Sequence, residues 1–237
     1  MVAITSIGTA TGSTIASVAV TVPAGGVPLG ALIVVCVADS SVSVVGGSVV
    51  DTGLNAYTRI TGADNNNLTT NGFGAIFYAF ATAALVQNNT ITYSLALTAN
   101  AAITAFYAQT IQTFSTVDAA VTNTATGSST APSVAGLGVP AGSGEFWVGA
   151  VSNTGPGTET FTQDSSNAAW ATSPTRVGIA VTGPTIAGGV ITSGLTSALT
   201  YAPTLGTTHP WAAIIVAFRV AQPPFNLPLQ LRPVLAM

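Results

Sequence analysis

The chain has 237 residues, a formal net charge of −3, and only 5% Asp, Glu, Lys and Arg together, against about 25% in an ordinary soluble domain. Its four basic residues are all arginine and are scattered, so no phosphate-binding stripe exists and nucleic acid is excluded as a partner. Mean hydropathy is +0.60, yet the longest apolar runs, near Ala31–Ala38 and Trp211–Phe218, are far shorter than the roughly 18 residues of a spanning helix.

Taken in chain order, the predicted elements are strands. A polar lead ends at the turn Pro23–Gly26, and ALIVVCVAD (Ala31–Asp39) follows as an apolar run of strand length. FGAIFYAFA, EFWVGAVS and WAAIIVAFRVA have the same character. Short runs rich in β-branched and aromatic residues read as strands buried on both faces, which favours a sandwich over a transmembrane barrel. Ile91–Leu97 alternates apolar with polar or small residues, the period of a half-buried strand. Turn clusters at Gly62–Asn67, Gln87–Asn89, Ala141–Gly144 and Asn153–Gly157 separate the runs. Ala81–Leu85 is long enough for one helical turn, and no segment carries a sustained helical stripe.

The chain also repeats itself. GSTIASVAVTVPAG (Gly12–Gly25) is similar to GSSTAPSVAGLGVPAG (Gly127–Gly142), and each is followed by an apolar strand. Each half closes on a second apolar strand containing Phe, at Ala102–Phe114 and Ala212–Val220. The expectation is two similar halves, about residues 1–115 and 127–221, joined by a polar crossover at Thr116–Pro132. Two small domains or two parts of one jelly roll both fit. One jelly roll over residues 1–221 is preferred, because each half has about five strands and sandwiches usually need seven or more.

The order PAGG…GALIVVCVADSS, DTGLNAYTRI, FYAFATAA, NNTITYSLAL and AITAFYAQTIQTF resembles a jelly-roll family, often described as concanavalin-like, of phage structural proteins and secreted bacterial proteins. Asp51, Gly53, Asn55 and Tyr57 approximate that family's D-x-x-G-N-x-Y turn. The aspartate that follows its strand-leading glycine is absent here. The resemblance implies an all-β, antiparallel β-sandwich of jelly-roll type and a virion or cell-surface setting, with no catalytic residues.

Candidate sites are few. His209 is the only histidine; it sits beside a proline at the start of the last strand, reads as a loop histidine and not a catalytic one, and has no G-x-S-x-G elbow to serve. One His and one Cys, Cys36, are too few for a zinc site, and a single cysteine builds no disulfide framework within the chain. Glu145 and Glu159 are acids with no sequence reason to face each other as glycosidase carboxylates. Asp51, Asn55, Asp64, Asn65, Asn66 and Asn67 are oxygen donors suited to calcium, but the same residues favour turns in their own right. No cofactor and no metal are expected. Trp147 reads as core, Trp211 begins the last strand, and Trp170, in SNAAWATSP, is the candidate for an exposed contact with a sugar ring.

The last sixteen residues, Gln222–Met237, are expected to form an extended arm. They hold four of the thirteen prolines and place Phe225, Leu227, Leu229 and Leu231 at alternate positions, with Val234 and Leu235 beyond. Such a segment docks in a neighbour's groove or along its sheet edge, and its prolines reduce the entropy lost on docking. A chain so short of charge has little repulsion to keep copies apart. The sequence therefore predicts a non-enzymatic structural protein of the virion that decorates or cements a phage capsid. Its partners would be its own copies, the major capsid protein, or both. The runner-up is a carbohydrate-binding or adhesin module of a phage tail or cell surface, and an extracellular fibre subunit is a third reading. The expected location is the capsid surface, with an extracellular one as alternative. No secretory signal is expected, since such a segment begins basic and the first basic residue is Arg59.

Overall fold

A computed structural model describes residues 2–40, 47–60, 65–67, 72–110, 114–119, 121–138, 145–165, 170, 177–178, 184–191 and 199–220. At 65–67, 72–73 and 115 it describes the backbone alone. Among the described residues every regular element is a strand. The first half contributes β1 (Ala3–Thr21), β2 (Leu32–Asp39), β3 (Ser48–Asp51), β4 (Thr58–Arg59), β5 (Asn65–Asn67), β6 (Gly72–Phe80) and β7 (Thr90–Gln109). The second contributes β8 (Phe114–Val117), β9 (Asn123–Ser129), β10 (Val134–Ala135), β11 (Phe146–Asn153), β12 (Phe161–Thr162), β13 (Val177–Gly178), β14 (Thr185–Ile191), β15 (Thr200–Tyr201), β16 (Thr204–Leu205) and β17 (His209–Val220).

Each half builds its own main sheet, and all pairings are antiparallel. The first runs β1-β7-β2-β6-β4, with β3 also on β7 and β5 on β6. The second runs β13-β14-β11-β17-β8, with β9 also on β17. The ribbons β10-β15 and β12-β16 lie apart from these paths. The protein is thus an antiparallel β-sandwich, and the expected jelly-roll connectivity is a finer statement than this sheet order makes.

The register shows why the halves resemble each other. Gly12 lies opposite Ala101, which lies opposite Asp39. Gly127 lies opposite Trp211, which lies opposite Asn153. Around those glycines both strands read TATGS, at Thr9–Ser13 and Thr124–Ser128. The path β1-β7-β2-β6 is therefore repeated as β9-β17-β11-β14.

β2 and β11 are buried at all eight positions, because strand side chains alternate between faces and here both faces are covered. Leu32, Val34, Cys36 and Ala38 turn toward Phe146, Val148 and Ala150 in a core shared by the two sheets. Ile33, Val35 and Val37 turn the other way, into a core owned by the first half. Trp147 and Val151 turn into a core owned by the second, with Tyr201 and Leu205. Each half owns one core, and the third exists only where they meet. Full burial of each large apolar side chain contributes about 1.5–3 kcal/mol, so neither half keeps its stability with the shared face in water.

Several local expectations change. The polar lead is β1, a long strand whose pairing with β7 slips between Ser6 and Gly8 and again around Ile15; its mixed pattern hides it from a period-two search. The joint read as a polar crossover holds β8 and β9, both paired to β17. Asn65–Asn67, read as a turn, is the short strand β5 beside β6. Ala81–Leu85 makes no helical turn; Leu85 bridges to Val27.

Candidate functional site

The arm residues Phe225, Leu227, Leu229, Leu231, Val234 and Leu235 lie outside the described residues. What the structure does show is where the chain leaves for them. β17 runs to Val220, with Phe218 opposite Val117 and Val220 opposite Phe114. Abreast of Ile215 to Phe218 on that strand, a groove of about 430 Å³ opens at the seam of the two halves. Thr58, Arg59, Ile60 and Tyr78 line it from the first half; Val117, Ala119 and Leu137 line it from the second.

The groove is apolar and firmly built. Ile60 is buried, while Leu137 stands 68% exposed. The Tyr78 ring meets Phe80 at 5.6 Å and Phe218 at 5.3 Å, both edge to face. Phe218 in turn packs on Phe146, which also meets Phe106 and Phe114. The second-half wall is a turn held at Asp118. Its backbone N–H donates to Ala217, and its carbonyl accepts from Val121 N and Thr122 Oγ1. The Asp118 carboxylate is fully buried and takes Arg219 Nη2 at 3.0 Å. That hydrogen bond and its charge raise the Arg219 pKa. On the first-half side β4 is the last strand of its path.

A second apolar feature lies where three loops of the first half are tied together. Val27 and Leu85 exchange backbone hydrogen bonds, and Gly30 N–H donates to Ala81 O. Asn55 Oδ1 accepts from the backbone of Thr82 and Ala83 at 2.8 and 2.9 Å. Asp51 accepts from Asn55 N, Asn55 Nδ2 and the Tyr57 hydroxyl. Burial, then Asp51, pushes the Tyr57 phenol well up. The loops carry Leu29, Leu54 and Val86 exposed by 65%, 87% and 64%. Leu54 sits in the left-handed region at φ 61°, a conformation that costs roughly 1–2 kcal/mol for a side chain of its kind.

The calcium candidates have other duties. The Asp51 and Asn55 side-chain oxygens serve the turn just described. Asp64 lies outside the described residues, and only the backbone of Asn65, Asn66 and Asn67 is described. No group of three or more His, Cys, Asp or Glu residues able to hold a metal occurs among the described residues.

Trp170 corrects an expectation. It is 4% exposed, not a surface platform. Its ring packs on Tyr201 at 4.8 Å, and its indole N–H donates to Thr200 O at 3.3 Å. Both ring and polar edge are occupied by the second half's own core, so no sugar can stack there. Trp147 and Trp211 are core residues too.

His209 is the first residue of β17, at the start of the last strand as expected, and belongs to a cluster the sequence did not signal. Its Nε2 lies 3.3 Å from Glu159 Oε2 and 2.8 Å from Thr207 Oγ1. Glu159 Oε1 accepts from the Thr207 backbone and hydroxyl. A nucleophile–histidine–acid relay needs the hydroxyl and the carboxylate on opposite ring nitrogens. Here both meet Nε2, so the arrangement pins the loop before β17 and lacks relay geometry. Glu145 belongs elsewhere. It precedes Phe146, the partner of Phe218, about nine strand residues or roughly 30 Å from His209. Glu145 and Glu159 are therefore not a carboxylate pair for glycoside hydrolysis, which needs them within about 10 Å.

In comparison with known proteins, no family model and no curated relative matches this chain.

Proposed function

We propose that the chain is a non-enzymatic structural protein of a phage virion, holding to the capsid surface through repeated lattice contacts and its C-terminal arm. The observation that carries this reading is the tied loop tip. Three loops, braced by the Asp51–Asn55 network, hold Leu29, Leu54 and Val86 in water. Single exposed apolar residues are ordinary; three on one braced platform mark a contact surface. Only 5% of the residues are charged, so little repulsion opposes association. Each contact stabilises the assembled state alone, by mass action.

The jelly-roll resemblance supports the virion setting. The burial of Trp170 removes the residue that favoured a sugar-binding module. The test is density-gradient purification of phage particles made with the full chain or with a chain lacking Gln222–Met237. The full chain should band with the particles, and the truncated chain should be at least tenfold depleted. Equal retention of both, or absence of the full chain from the particles, refutes the reading.

A further inference from the structure

We draw no further inference here: the strongest candidate, the apolar groove at the seam of the two halves, between Ile60 and Tyr78 on one side and Val117 and Leu137 on the other, carries nothing because nothing in the structure shows what covers it.

Discussion

Gly127 lies against the ring of Trp211, so close that a Cβ on Gly127 would stand 2.5 Å from it. The equivalent residue in the first half, Gly12, would direct a Cβ at Ile15 Cδ1, the far end of a flexible side chain. One sequence motif thus carries two different constraints.

Gly127→Ala should therefore destabilise the protein by about 1–3 kcal/mol, the usual range for overpacking a rigid core site. Gly12→Ala should stay within about 1 kcal/mol, because Ile15 can turn aside and alanine lowers the entropy of the unfolded chain. Urea midpoints at unchanged slope measure both. Equal losses at the two sites would contradict the assignment of the clash to the indole.

Asn55→Ala should cost about 1–3 kcal/mol, because it removes the acceptor for the Thr82 and Ala83 backbone and a donor to the buried Asp51. Chemical denaturation is the measurement. The loops would also loosen, so hydrogen exchange at Thr82 and Ala83 should rise together with the loss of stability.

Leu54→Asn should behave in the opposite sense. Asparagine tolerates the left-handed backbone at this position, so stability should hold or rise by up to about 1 kcal/mol. Removing the exposed leucine should weaken retention of the chain on particles. A variant that is equally stable and equally retained would show that Leu54 makes no lattice contact.

Alkaline pH should weaken the fold through Cys36. Burial pushes its thiol from 9.0 up to about 12. A pKa raised on folding means that the native state holds its proton longer than the unfolded chain does. The associated stability is complete below pH 9 and lost as pH climbs toward 12, by at most about 1.4 kcal/mol per pH unit. The phenols of the half-buried Tyr57 and the buried Tyr201 are shifted in the same direction and add to the loss from about pH 10. Cys36→Ala should flatten the first part of the decline in urea midpoint. An unchanged profile would show that the thiol is not its source.

Trp170→Ala should destabilise by about 3–5 kcal/mol, since its ring fills the core against Tyr201. Thermal unfolding measures this. A variant of native stability that selectively lost a sugar ligand would return Trp170 to the surface.

Much of the fold was legible because strand chemistry is local. β2 and β11 announced themselves as short apolar runs, since burial on both faces leaves no polar position to interrupt them. The turn chemistry at Asp51, Gly53, Asn55 and Tyr57 could be read in the same way, because side chains and backbone a few residues apart satisfy one another. The repeat marked the two halves, although TATGS, its strongest part, became clear only when the register set Gly12 and Gly127 in equivalent rows.

The site was less legible. Trp170 sits among Ala, Ser and Thr, and nothing nearby says that Tyr201, thirty-one residues on, will cover it. Glu159 and His209 meet across fifty residues. The groove needs Tyr78 from one half and Leu137 from the other. Sequence by itself determined the all-β class, the paired halves and the scarcity of charge, because these follow from residue type and short-range pattern. Only the tertiary structure decided which apolar residues would be hidden and which left in water, because burial depends on what distant strands bring to the same place.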